Sequence, residues 1–312
     1  MREWTKSIEA PVQIVFAVFD QFSNHCLANT MEPLRTANLR TDADAFRWQV
    51  LSPTGAPVRS SSGLPILPDG ALGNIRRCDY LFVMPSYDYL VHDTVRNRTT
   101  LVRAARQSTY VVGLDTGPWL LASAGLLDGY KATLHTAEID AFAETFPNVQ
   151  TVRSQVVDDG RMLTCAGVMA AFDLTLLIIR RHMGEAVALD INRFFLRDSD
   201  KPVTPTVHDQ LVARALLKME QSQESPRPLN EIAQEIGCLP KTMERRFQTA
   251  LGASPGVVYR HMRLTTARYL VQKTRQPLAQ VALAAGFQTP AALSRAYRAM
   301  FGNAPSEDRA NH

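Results

Sequence analysis

Apolar runs alternate with stretches of helical period through the first two thirds of the chain. Val12 to Phe19 is nearly continuous apolar sequence and predicts a buried strand. Leu27, Met31, Leu34 and Asn38 follow at helical spacing. Trp48 to Leu51, Tyr80 to Val83 and Tyr110 to Leu114 are short β-rich runs, each predicting a strand. Between and after them, Thr94 to Gln107, Pro118 to Ala124, Glu138 to Phe146 and Val168 to Arg180 predict helices. Strands alternating with helices predict an α/β domain whose parallel sheet is covered on both faces. Leu196 to Thr206 is polar and holds two prolines, so a linker is expected there. Beyond it the pattern is helical throughout.

The last third contains an internal repeat. Pro228-Leu229-x-x-Ile232-Ala233-x-x-Ile236-Gly237 returns as Pro277-Leu278-x-x-Val281-Ala282-x-x-Ala285-Gly286, at an offset of 49. Met243, Phe247, Leu251, Gly252 and Pro255 then match Leu293, Tyr297, Phe301, Gly302 and Pro305, at an offset of 50. Each copy reads as a short apolar helix, a glycine turn and a second amphipathic helix, which is the helix-turn-helix pattern. The second helix of the first copy presents Lys241, Thr242, Arg245 and Gln248 opposite its apolar face. The corresponding set in the second copy is Gln288, Thr289, Ser294, Arg295 and Arg298. Side chains of these types reach base edges and phosphates. Pro255 to Thr274 predicts one connecting helix, which at 1.5 Å per residue spans roughly 30 Å. Successive major grooves on one face of DNA lie about 34 Å apart, so a rigid connector suits two adjacent grooves. An all-α protein-interaction domain is the competing reading of this segment.

Charge sharpens the picture more than composition does. The chain has 312 residues, 46% hydrophobic and 21% charged, which suits about two ordinary globular domains. Disordered, collagen-like and mini-protein classes are excluded. No apolar run approaches the roughly 20 residues of a membrane span, and the N-terminal residues lack a signal-peptide shape. Cys26, Cys78, Cys165 and Cys238 lie far apart without a CxxC pair, so neither a zinc site nor a disulfide framework is expected. No metal or cofactor motif stands out. The net charge of +4 is uneven: residues 207 to 312 hold 14 Lys+Arg against 8 Asp+Glu, and the remainder holds 20 against 22. A basic module joined to a neutral one is expected to face nucleic acid.

Residues 207 to 308 resemble the AraC/XylS-type DNA-binding domain. The most specific part is Val281 to Pro305, with its Ala-x-x-x-Gly-Phe turn, its Leu-Ser-Arg-x-Tyr segment and its Phe-Gly-x-x-Pro ending. Ala291 and Ala292 stand where polar side chains often open the second recognition helix, a departure that shifts the second motif toward phosphate contact. Upstream, Leu27-Ala-Asn-Thr-Met-Glu32-Pro-Leu-Arg35 and Gly113-Leu-Asp115-Thr-Gly117 through His135 are similar to PfpI/ThiJ-like, class I amidotransferase-like domains. Together the two halves resemble the GlxA-type subgroup of AraC regulators. The resemblance implies a flavodoxin-like α/β domain, residues 1–195, a linker at 196–206, and an all-α domain with two helix-turn-helix motifs, residues 207–312.

In the enzymatic relatives a cysteine sits on the sharp strand-to-helix turn and a histidine some twenty residues later assists it. Here Asp115 holds the turn and His135 the histidine position. A carboxylate is a far weaker nucleophile than a thiolate for acyl transfer, so no catalytic residue is expected. Cys26 and Cys165 read as core thiols or as neighbours of the site. Asp115 either caps the following helix or receives a cationic or donor group of a small effector. Trp119, four residues on, offers either an aromatic face for an ammonium group or core filling. His135, Glu32 and Tyr87 are further pocket candidates, with Tyr89 beside them; Glu32 has the alternative of pairing with Arg35. Relatives of the subgroup are associated with amino acids and quaternary ammonium compounds, which is what the resemblance implies for the effector.

The expectation is therefore a cytoplasmic, nucleoid-associated regulator, not an enzyme, that activates a catabolic operon. Its partners would be double-stranded operator or promoter DNA, a small nitrogen-containing effector, RNA polymerase and a second copy in a homodimer, with no membrane. The rivals are a PfpI-like hydrolase or amidotransferase fused to a DNA-binding domain, and a regulator whose first domain only dimerises. If Arg245 reads a base, Arg245→Ala should cost about 1–3 kcal/mol of operator binding and relax specificity at one position. A uniform loss over all sequences in a binding-site selection would make it a phosphate contact instead.

Overall fold

The computed structural model describes residues 3–6, 8–41, 44–195 and 209–310; the expected linker at 196–206 lies outside them. These residues form two compact units, one of 8–181 and one of 3–6 with 182–195 and 209–310.

The first unit is built on seven strands: β1 (Val12–Val18), β2 (Phe46–Ser52), β3 (Gly70–Ala71), β4 (Cys78–Met84), β5 (Ser108–Leu114), β6 (Val156–Asp159) and β7 (Met162–Cys165). Their order across the sheet is β6-β7-β5-β4-β1-β2-β3. Every neighbouring pair is parallel except β6 and β7, an antiparallel edge hairpin. β1 and β4 each end on a run of five consecutive buried residues, because central parallel strands are covered on both faces. The helices are α1 (Asn24–Thr41), α2 (Val95–Arg106), α3 (Gly117–Ser123), α4 (Ile139–Thr145) and α5 (Val168–Met183). The hairpin β6–β7 is absent from the sequence reading, since four-residue strands carry too little period to register.

The second unit is helical: α6 (Glu185–Phe195), α7 (Gln210–Gln221), α8 (Leu229–Glu235), α9 (Pro240–Leu251), α10 (Pro255–Lys273), α11 (Leu278–Ala284), α12 (Pro290–Phe301) and α13 (Pro305–Ala310). α8–α9 and α11–α12 are the two expected repeats. They form separate cores that share α10. Val258, Tyr259 and Met262 pack with Ile232, Met243 and Phe247 in the first core, while Leu264, Ala267 and Val271 pack with Val281, Leu293 and Tyr297 in the second. Arg263 of α10 donates to Ala285 O at 2.9 Å and Gly286 O at 2.6 Å, and its guanidinium lies over the Phe287 ring. It thereby satisfies carbonyls that α11 leaves unpaired at its end.

The expected boundary at residue 195 differs from the packing. α6 belongs with the helical unit. Its Leu189 joins the first repeat's core, Arg193 pairs with Glu220 at 3.0 Å, and Asp190 bonds His261 Nε2 at 2.8 Å. The N-terminal segment is there too: Glu3 O and Trp4 O accept from Glu185 N and Ala186 N at 3.0 and 2.9 Å. The Trp4 ring meets His261 edge-on at 5.1 Å.

Gly286 shows how closely the second repeat approaches the loop after α7. Its φ is +70°, and a Cβ would lie 2.2 Å from Gln223 O, a backbone atom of the loop after α7. Gly237, its counterpart, has φ +77° and open space around it. Gly237→Ala should therefore cost only the left-handed backbone term, about 1–2 kcal/mol, while Gly286→Ala should cost clearly more. Urea midpoints of the two variants would test this; equal destabilisation would show that the close approach at Gly286 carries no weight.

Candidate functional site

The site grows from one turn. β5 ends at Leu114, and the chain must reverse into α3 within two residues. Asp115 takes φ +60° to do so. The turn is possible because both flanking positions are glycine. A Cβ on Gly117 would lie 2.1 Å from Val83 O, and one on Gly113 would lie 3.0 Å from Pro118 and Leu121. This strand–turn–helix elbow places the middle residue at the carboxyl edge of the sheet, where open α/β sheets bind ligands.

Four non-glycine residues among those described have positive φ: Gln21, Ser86, Asp88 and Asp115. Each costs roughly 1–2 kcal/mol in that conformation. All four follow a sheet strand, at its carboxyl end, and three of them line a cavity of about 460 Å³. Strain concentrated this way marks a site where position matters more than local stability. The cavity walls come from the loop after β4 (Ser86 to Tyr89), the elbow (Asp115, Thr116), the segment before α4 (His135, Ala137, Glu138), Gln155, and the first turn of α5 (Val168 to Ala170) with Ala166 and Gly167 before it. Its volume suits a small metabolite.

Charge in the cavity is one-sided. Asp88, Asp115 and Glu138 line it, no lysine or arginine does, and His135 is the sole basic side chain. Asp115 is 7% exposed. Burial holds its carboxyl above the ordinary aspartate range, while the Ser86 hydroxyl and the His135 charge pull it part of the way back. Ser86 Oγ is buried and makes no hydrogen bond of ordinary geometry, although it faces that carboxyl. The Ser86 carbonyl accepts from Thr116 Oγ1 at 2.6 Å, which ties the loop to the elbow. Glu138 Oε2 accepts from Tyr89 Oη at 2.7 Å. His135 N donates to Asp115 O at 2.9 Å, and its Nδ1 accepts from Ala137 N at 3.3 Å.

Of the expected pocket residues, Asp115, His135 and Tyr87 line the cavity; Trp119 and Glu32 do not. Trp119 is buried, with its ring 5.2 Å from Tyr89, 5.9 Å from Phe142 and 5.3 Å from Phe146. Its large apolar surface gains more in that cluster than at an acidic wall, so the core reading holds. Glu32 lies on α1 and its Oε2 takes Arg35 Nη2 at 2.6 Å, both side chains about half exposed. Ser86, Asp88 and Glu138 escaped the sequence reading; the Pro85 strand end beside them was the available signal.

Cys26 and Cys165 lie near Asp115, fully buried. Burial pushes Cys165 up to about 12, and burial with the neighbouring Cys165 and Asp115 pushes Cys26 well above the usual range. The nucleophile is the thiolate, not the thiol, so this burial disfavours the reactive form of both sulfurs.

In the helical unit, Lys241, Arg245 and Gln248 are exposed on α9 and Thr242 is half-buried. Gln288, Thr289, Arg295 and Arg298 are exposed at α12 and Ser294 is half-buried. Thr289 also caps α12, its Oγ1 accepting from Ala292 N at 3.2 Å. Met243, Phe247, Leu293 and Tyr297 are buried on the opposite faces. Both second helices thus carry one apolar and one free polar face.

An elbow-bearing parallel-dominated sheet followed by paired helix-turn-helix repeats defines a two-part regulator: a DJ-1/PfpI-type domain joined to an AraC-type DNA-binding domain. Comparison with known proteins agrees. Residues 12–181 match the DJ-1/PfpI family and residues 232–311 match a helix-turn-helix domain family. The chain is 36% identical over 305 residues to the HTH-type transcriptional regulator CdhR of Pseudomonas aeruginosa, covering 95% of this chain and 90% of that one. It is 30% identical over 311 residues to the HTH-type transcriptional regulator GlxA of Rhizobium meliloti, covering 95% of each. A crystal structure of an AraC family transcriptional regulator from Pseudomonas putida superposes with a TM-score of 0.53 at 26% identity, over 59% of this chain and all of that one. The chain belongs to the family of HTH-type transcriptional regulators that includes CdhR and GlxA. No helix among the described residues is long and apolar enough to cross a membrane.

Asp115 makes a pH prediction. Its carboxyl is raised in the fold above the ordinary value of 3.8, so the native state binds its proton more tightly than the unfolded chain does. Stability from this group is lost as pH rises through that window. Asp115→Asn should therefore stabilise the ligand-free protein at neutral pH, with the gain vanishing below the ordinary aspartate range. Urea denaturation at a series of pH values checks the sign.

Proposed function

We propose that the cavity at Asp115 holds a small nitrogen-containing metabolite, an amino acid or a quaternary ammonium compound, and that its occupancy sets how the helical unit engages operator DNA. The observation that carries this reading is the strained, acidic cavity of about 460 Å³ with no basic side chain but His135 on its wall. Asp115, Glu138 and Asp88 suit the cationic end of such a molecule, and Tyr87 supplies an aromatic face. The first-turn N–H groups of α5 and the Ser86 hydroxyl suit an acceptor or carboxylate end. A turn carboxylate with protonated thiols beside it favours binding over turnover, so the protein acts as a regulator and not as an enzyme. A first domain that only dimerises would have no use for this cavity.

The metabolite acts through its different affinities for two states of the protein. In this reading the bound form activates a catabolic operon with RNA polymerase, from a cytoplasmic, nucleoid-bound homodimer. DNA is contacted by Lys241, Thr242, Arg245 and Gln248 of the first repeat. Gln288, Thr289, Ser294, Arg295 and Arg298 of the second contact it too, with Ala291 and Ala292 biasing that helix toward phosphate.

A thermal-shift screen of the full chain against amino acids, betaines, carnitine and polyamines tests the reading. A binder at 100 times its Kd should add about 2.7 kcal/mol of stability. Affinity should weaken as pH falls through the raised Asp115 titration, and Asp115→Ala should remove the response while duplex binding persists. A cationic hit with unchanged affinity in Asp115→Ala would sink the pocket assignment.

A further inference from the structure

A second charged surface lies on the sensor unit, formed by residues outside the cavity lining. Residues 8–181 hold 15 Lys+Arg against 17 Asp+Glu, so this unit is not basic as a whole. Five of its arginines nevertheless gather around one helix. Arg96, Arg103 and Arg106 recur along α2 with Thr99 between them, at intervals of three and four that align side chains on one helix face. All four are exposed. Leu101, Ala104 and Ala105 are buried on the other side.

Arg76 and Arg77 extend the stripe. They are exposed immediately before β4, and Cys78 N donates to Gln107 O at 3.0 Å just past the end of α2. Arg161, in the β6–β7 turn, donates to Ala105 O and Ser108 O at the same place, fixing the end of the helix. None of Arg76, Arg77, Arg96, Arg103 or Arg106 has an acidic partner among the described residues. By contrast Arg98, on the adjoining face of α2, is paired with Asp93 at 2.9 Å.

We propose that this arginine stripe along α2 and the Arg76–Arg77 segment is a second nucleic-acid contact, one that grips the phosphate backbone of duplex DNA outside the sites read by α9 and α12. From Arg96 to Arg106 the helix rises about 15 Å, a span of roughly four phosphates of one strand at 3.4 Å each. Arginine is the residue suited to bidentate phosphate recognition. The same chain already holds DNA through its helix-turn-helix repeats, so flanking duplex is presented at high effective concentration. A second copy of this chain fits poorly, because two-fold pairing of the stripe would set arginine against arginine.

Non-specific binding is electrostatic and independent of sequence, so a 60-base-pair mixed-sequence duplex is a sufficient probe. The full-length protein is compared with the variant R76Q/R77Q/R96Q/R103Q/R106Q. Every phosphate that the variant leaves unneutralised flattens the slope of log K against log salt by about 0.9. The variant should flatten it by about 2–4 and melt at the wild-type temperature. Two smaller variants, R76Q/R77Q and R103Q/R106Q, keep the test open if the fivefold change unfolds the protein, each taking part of the slope. Wild-type slope in all three overturns the proposal. Loss of poly-glutamate binding with duplex slope intact overturns it in favour of an acidic protein surface; a changed sedimentation coefficient with slope intact does so in favour of self-association. R245A serves as the separate check on the recognition helices: a wild-type chain that binds no duplex at all would count against the helix-turn-helix reading itself.

Discussion

The first unit hangs on the approach of one backbone to another at Gly117. The elbow after β5 can close only because no side chain separates Gly117 from Val83 O. With that contact made, Asp115 is forced into a left-handed conformation and its carboxyl is thrown to the sheet's carboxyl edge. The loop after β4 then follows, since Thr116 Oγ1 holds the Ser86 carbonyl. His135 is set by its backbone bond to Asp115 O. Three walls of the cavity therefore trace back to one interatomic distance. The strain held at Ser86, Asp88 and Asp115 totals a few kcal/mol at about 1–2 each, a substantial fraction of a domain's net stability. Only a packed surrounding sheet can sustain it.

The same turn sets what the side chain at its tip can do. An elbow is a strained device for presenting one side chain at the sheet's carboxyl edge. With a thiol in that position, desolvation is offset by a nearby charge and the thiolate is used. With a carboxylate, burial raises the pKa and gives a group that is costly to ionise alone and cheap to ionise beside a cation. Such a group improves when a positively charged ligand arrives, and it has little nucleophilic use. The acidic lining from Asp88 and Glu138 works in the same direction.

Much of this was legible in the sequence where the signal is periodic or repeated. The central strands announce themselves as apolar runs because both faces are buried. The two helix-turn-helix repeats stand out because Ile232, Ala233 and Gly237 recur as Val281, Ala282 and Gly286, each pair needed for the same helix crossing and turn. The elbow was legible as Gly113-x-Asp115-x-Gly117. What escaped depends on distant contacts. Nothing in the sequence near Trp4 says that its ring packs on His261, nor that α6 joins the helical unit through Asp190 and Leu189. Ser86 adopts φ +53° because the fold compels it, against its local preference. Trp119 shows the limit of spacing: it left an aromatic face for a ligand and core filling both open, and the rings of Tyr89, Phe142 and Phe146 around it decide for the core.

The chain divides by packing and not by a single cut in the sequence. The helical unit claims residues on both sides of the sensor unit, 3–6 before it and 182–195 after it. The chain therefore passes between the two units twice, between residues 6 and 8 and between residues 181 and 182. One crossing leads directly into β1, which neighbours β4, the strand that ends at the Ser86 loop. The other follows α5, which begins on the cavity wall at Val168 and ends at Met183, next to Gly184 and α6. α6 in turn is bonded to α10 through Asp190 and His261, and α10 is the helix that both repeats share. α5 and α6 are not one helix, because Gly184 between them sits at φ +88°. Any coupling between the cavity and the helix-turn-helix repeats requires an element with two arrangements that both sites bias, and a broken helix pair transmits a displacement less directly than a single rigid helix would.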